Sequence, residues 1–361
     1  MVDPIRSTSA HDATSMDDGV ATPRVPKKLV DASTIAERLE TALDVLERVR
    51  QKADARQCVA KDGPLEVGRM HAADPPTPVQ AELDAFLRGS VGTYRAEGRS
   101  VDVVAFFRMN GGSHAIDETT AKTRDAVLWR AGLGSTAKLV AVGRGTPEQV
   151  RAATQALIDA GKLEPGPAET LCDRVRSTMW KYGIGIDCAG YARLAFLACR
   201  HGEPTTYGFR QADFEDLQNL ATNRAFAKVD PIRAKPGDLF ILGRPATPPK
   251  EPGHCLVVYS HTIADDRAKE LLVARCGSQA TAFIRASGSL HVYQVDASWG
   301  AGPNGAAYGG VGRHTWLYDE SSKQWARYDP VLAAAGGSGF RTEASPCDHP
   351  ILGVFRPKDE P

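Results

Sequence analysis

From residue 238 onward the chain breaks into short β-branched and aromatic runs, at 238–242, 255–259, 270–275, 290–297, 314–318 and 324–328, parted by Gly- and Pro-rich turns. Runs of this length and composition are predicted as strands. They follow two helical stretches, one over 168–180 and one opening after Asp187. Helices followed by a series of strands give an α+β order.

Before residue 165 the signals are mainly helical. Thr34 to Glu37 fits a capping box, and Ile35, Leu39, Leu43, Leu46 and Val49 recur at helical spacing. Thr77-Pro78-Val79-Gln80 opens a shorter helix carrying Leu83, Phe86 and Leu87. Val101 to Met109 reads as a buried strand ending in an Asn110-Gly111-Gly112 turn, and a helix is predicted from Asp117 to Arg130. Thr146-Pro147-Glu148-Gln149 starts another that runs to Gly161. Residues 1–30 hold few large apolar groups and are predicted to be disordered. Pro165-Gly166-Pro167 marks a boundary, giving a mostly helical accessory region at 31–164 and a second domain at 165–361.

Composition excludes several classes. With 361 residues, 42% hydrophobic and 24% charged, the chain has the profile of a folded protein of about two domains. Basic and acidic residues both number 44, so no excess charge calls for a nucleic-acid partner. No apolar run reaches the roughly 18 residues of a membrane span. Asp3, Asp12, Asp17 and Asp18 stand where a secretory signal needs an apolar segment, so the protein is expected in the cytoplasm or exported by a non-classical route. The seven cysteines form no C-x-x-C pair and no H-E-x-x-H occurs. Mostly reduced thiols, no metal site and no cofactor are therefore expected.

The chemistry concentrates around Cys188. Asp187 precedes the apolar helical run Tyr191, Leu194, Ala195, Leu197 and Ala198 and is its natural N-cap, which places Cys188 in the first turn. Helix N-terminal amides stabilise a thiolate, so a nucleophile fits there. A free cysteine is otherwise most often a small buried hydrophobe. His254 begins the strand 255–259 and Asp296 lies near the end of 290–297; in an adjacent antiparallel pair the two can sit side by side. Cysteine, base and orienting carboxylate then form a triad.

Tyr182, Asp187-Cys188-Ala189-Gly190-Tyr191, Lys235-Pro236-Gly237-Asp238-Leu239-Phe240, Gly253-His254 before an apolar strand, and Val295-Asp296-Ala297-Ser298 together resemble the NlpC/P60 cysteine peptidase superfamily. The resemblance covers residues 168–330. It implies a papain-like fold with helices on an antiparallel sheet, Cys188 as nucleophile, His254 as base, Asp296 as third residue and Tyr182 as a helper near the oxyanion site. Against the family's usual Asp-Cys-Ser-Gly-Phe, Ala189 replaces Ser and Tyr191 replaces Phe. The interval from His254 to Asp296 is also longer than usual, leaving His291 and His314 as competitors for the third role. The implied substrate is a peptide or peptidoglycan fragment, cleaved by an endopeptidase or amidase acting as a secreted or injected effector. A secretion apparatus or an immunity protein is then a further partner. Acyl transfer or deamidation of a protein, or an inactive papain-like binding module, are the alternatives.

Gly300-x-Gly302-x-x-Gly305 matches a dinucleotide fingerprint in spacing, but Pro303 interrupts it and no βαβ unit follows. Nucleotide binding is rejected there, and the segment is read as a loop beside the cleft or a plain turn. His114, after a Gly-Gly pair, is read as part of a turn.

Overall fold

The computed structural model describes residues 75–106, 115–165, 171–200, 226–243, 252–276, 278–299, 310–328, 340–342 and 351–358. The expected disorder at 1–30, the helix at 34–49, the 110–112 turn with His114, and the 300–309 loop lie outside them.

Helix α1 (Pro78–Gly89) starts where its capping box predicts. The Gln80 N–H donates to Thr77 Oγ1 at 3.3 Å while Thr77 N–H donates to Gln80 Oε1 at 2.9 Å. A hairpin follows, β1 (Val91–Ala96) and β2 (Arg99–Val104), whose turn residues Glu97 and Gly98 both take positive φ, at 52° and 72°. Then come α2 (Glu118–Arg130), α3 (Gly134–Ala141) and α4 (Pro147–Asp159), the last opened by a second capping box, Thr146 with Gln149. Helices α5 (Leu171–Tyr182) and α6 (Cys188–Ala198) lead into the sheet.

Eight strands form one antiparallel sheet. They are β3 (Phe226–Val229), β4 (Leu239–Gly243), β5 (Pro252–Ile263), β6 (Leu290–Trp299), β7 (Gly310–Asp319), β8 (Gln324–Tyr328), β9 (Phe340–Thr342) and β10 (Ile351–Pro357). Their order is β3-β10-β4-β5-β6-β7-β8-β9. The sheet coils strongly. Four strand steps in a flat sheet span roughly 19 Å. Yet the rings of Phe240 on β4 and Trp325 on β8 lie 5.5 Å apart, with Tyr293 5.2 Å from Phe240 between them. The concave face is thus an aromatic core of Phe240, Tyr293, Trp316, Tyr318 and Trp325. The molecule is α+β with antiparallel sheets, as expected.

The expected strand at 270–275 is instead part of helix α7 (Asp266–Cys276), followed by α8 (Ser278–Ala286). Ala268 N–H donates to Asp265 Oδ1 at 2.7 Å to start α7, and Ala268, Leu272 and Cys276 recur every fourth residue along its buried side. The two helices fill the long interval between β5 and β6. Reading by β-branched content also passed over β1 and α3.

Residues on the two sides of position 165 share one core. Leu83, Val104, Leu128, Val140 and Val150 pack in the same cluster as Tyr191, Phe196, Leu239, Cys255, Val257 and Phe355. In the described residues the 31–164 region is therefore not separately cored. Its described part holds four helices, α1 to α4, and the β1–β2 hairpin. Among the described residues no helix is long and apolar enough to cross a membrane.

Candidate active site

The elbow before Cys188 is held from three directions. Ile186 N–H donates to Phe106 O at 2.8 Å and Asp187 N–H to Gly143 O at 2.9 Å. Ser298 Oγ on β6 donates to Ile186 O at 2.6 Å from a fully buried position. Asp187 then caps α6, its Oδ1 accepting from the Gly190 N–H. The glycine is required by space, because a Cβ there would meet Gly143 O at 2.3 Å. Cys188 is thereby presented as the first residue of α6, nearly buried.

The thiol faces β5. Its neighbours include the backbone N–H of Cys255, which belongs to the peptide group joining His254 to Cys255, and the N–H of Ala189. These donors favour a thiolate, but burial outweighs them, and with the Asp187 carboxylate beside it the thiol is pushed up to about 12. Cys255, also buried and free, is raised too, first by burial and then by Cys188. Asp187 is itself raised to about 6 by burial, against the opposing pull of Arg144, whose Nη1 stands 3.2 Å from its Oδ1.

His254 is buried at the start of β5, in register with Leu242. Alternation along the strand carries Cys255 and Val257 toward α6 and Leu256 and Val258 toward the aromatic face, with His254 in phase with the latter. Its ring meets Trp299 edge-on at a centroid distance of 4.0 Å. The His254 imidazole therefore leaves the face of β5 opposite α6 and Cys188, and the structure does not bring these two side chains together.

It does not bring Asp296 to His254. In register Asp296 faces Val257, an odd number of residues further along β5, so the two side chains leave opposite faces. The Asp296 carboxylate is fully buried and held by Arg313, with Nε donating to Oδ1 at 2.6 Å and Nη2 to Oδ2 at 3.0 Å. Arg313 also reaches Asp84 of α1 at 2.9 Å and lies over the Tyr259 ring at 3.2 Å. Asp296 is therefore part of a buried ionic tie between α1 and the sheet. Burial raises its carboxyl and Arg313 lowers it, with burial ahead.

Of the competing histidines, His291 sits at the far end of β6. His261 Nε2 lies 2.8 Å from its Nδ1, and Glu320 Oε2 lies 3.3 Å from its Nε2. His314 lies opposite Val295, its ring 6.1 Å from Trp299. Tyr182 ends α5 inside the core, and its carbonyl accepts from Arg124 Nη1 at 3.2 Å.

Ser298 and Arg144 escaped the sequence reading. Ser298 had a signal, since it lies two residues from Asp296 and so shares its face. Arg144 had none, because only tertiary folding brings the α3–α4 turn to Asp187. The described cysteines 188, 199, 255 and 276 are free, as expected of reduced thiols, whereas Cys172 is disulfide-bonded. Among the described residues no group of three or more His, Cys, Asp or Glu side chains is arranged to hold a metal ion. No family model, curated protein or solved structure matches the chain.

Proposed function

We propose that the chain is a thiol-dependent amide hydrolase of papain-like, NlpC/P60 type, with Cys188 as nucleophile. The observation that carries this is the placement of Cys188 as the first residue of a helix capped by Asp187. Burial keeps that thiol protonated, so reaction requires a path for its proton. The sulfur attacks the amide carbonyl carbon while its proton is relayed through water to the leaving amine, and a second water hydrolyses the thioester to the free acid and returns a proton to the sulfur. Asp296 takes no part in that relay, because its charge is spent on Arg313.

Peptidoglycan stem peptides are the first substrates to offer, followed by protein glutamine side chains. Incubation of the full chain and of Cys188→Ala with stem peptides, read by mass spectrometry, tests the reading. New amine and acid products that vanish in Cys188→Ala support it. A second reading, an inactive papain-like binding module, is favoured by the high thiol pKa. Stem-peptide binding without cleavage, equal in both proteins, is its expected result.

A further inference from the structure

We infer that Arg144, in the turn between α3 and α4, is a positioning residue for the Cys188 nucleophile, holding the capping Asp187 carboxylate and offsetting its charge beside the sulfur. The inference rests on the thiol reading of the site and deepens it, assigning to the region before residue 165 a part in the nucleophile's chemistry.

Asp187 has two opposed effects. As N-cap it fixes the first turn of α6 through the Gly190 N–H, but its negative charge stands next to the sulfur and disfavours the thiolate. Arg144 bears on both. Its guanidinium contacts Asp187 Oδ1 at 3.2 Å, and both side chains are mostly buried, at 15% and 13% exposure, where screening by solvent is weak. The backbone holds the pair in place, because Arg144 bridges to Ile186 and its neighbour Gly143 accepts from Asp187 N–H. Gly143 O also occupies the space a side chain at position 190 would need, so the turn and the α6 elbow are fitted to each other. Asp187 and Arg144 are the charged side chains acting on the Cys188 thiol, and of the two only Arg144 favours its charged form.

The test is the iodoacetamide labelling rate of each cysteine in the full chain, resolved by mass spectrometry across pH. It compares wild type, Arg144→Met, Arg144→Lys, Asp187→Asn and the double variant Arg144→Met/Asp187→Asn. At about pH 9, where Asp187 is ionised, Arg144→Met is expected to slow Cys188 about tenfold, equivalent to one pKa unit. Arg144→Lys should restore most of the rate, and the double variant should recover to wild type or above. Cys199, Cys255 and Cys276 are internal controls, because mere loosening of the fold would speed all of them and Cys188 as well. An unchanged or faster Cys188 in Arg144→Met, or a double variant no faster than Arg144→Met, overturns the inference. Failure of the hydrolase reading is seen separately, as absence of stem-peptide cleavage by wild type.

Discussion

The two ends of β5 carry buried polar groups in opposite electrostatic circumstances. At the far end, the Ala234 carbonyl can only accept, so His261 Nδ1 carries the proton at 3.2 Å and His261 Nε2 accepts from His291 Nδ1–H. His291 Nε2 in turn meets Ser289 and Glu320, both at 3.3 Å. The chain of partners is complete, and stacking of His261 on Tyr293 at 4.5 Å anchors it to the aromatic core. At the near end, burial and the Asp187 carboxylate both oppose ionisation of the neighbouring Cys188 thiol. One arrangement spends its polar groups on each other. The other leaves a buried thiol whose anion is short of stabilisation.

The largest effect should come from the ionic tie that took Asp296 away from His254. Arg313→Leu strands a fully buried carboxylate and is expected to cost about 3–5 kcal/mol in urea denaturation. Loss of activity at unchanged stability would instead mark the pair as part of the catalytic machinery.

The next two predictions oppose each other in sign. Asp187 has a folded pKa of about 6 against 3.8 for the free carboxyl, so it binds a proton more tightly when folded. Its contribution is fully present below about pH 4 and is lost as pH rises through 6, a change of about 2–3 kcal/mol. Asp187→Asn keeps a cap and should flatten that loss in melts taken across this window. His261 is lowered to about 4, first by burial and then by His291, so its contribution is present above pH 6.5 and lost as pH falls through 4. It is partly exposed, and the effect is discounted to about 1 kcal/mol. His261→Gln should remove that acid sensitivity. If both variants shift stability in the same direction over pH 4–6, the contrast between the two ends of β5 fails.

The smallest effect concerns Tyr191, where the resembled family has Phe. Its hydroxyl is fully buried with no hydrogen-bond partner among the described residues. Tyr191→Phe should be neutral or stabilising by less than about 1 kcal/mol in the same urea assay. A clear loss of stability would reveal a partner for that hydroxyl.

What the sequence made legible follows the range of the forces involved. Thr77, Thr146 and Asp187 act on amides three residues away, so their helix starts could be read directly. Cys188 at a helix start followed from the same local rule. The register of Asp296 could not be read, because α7 and α8 intervene between β5 and β6 and a shift of one residue reverses a strand's faces. The apolar content of Glu270 to Arg275 suits a strand, but the spacing of Ala268, Leu272 and Cys276 is that of the helix it forms. Arg144 and the coil of the sheet depend on contacts between segments far apart in sequence, which no local pattern encodes.

Cys188 is the nucleophile of the proposed reaction. The most direct test is stem-peptide cleavage by wild type, Cys188→Ala and, as a buried-thiol control, Cys199→Ala, with products resolved by mass spectrometry. The predicted result is cleavage that Cys188→Ala abolishes and Cys199→Ala retains. Cleavage that survives in Cys188→Ala, or none by wild type, would contradict it.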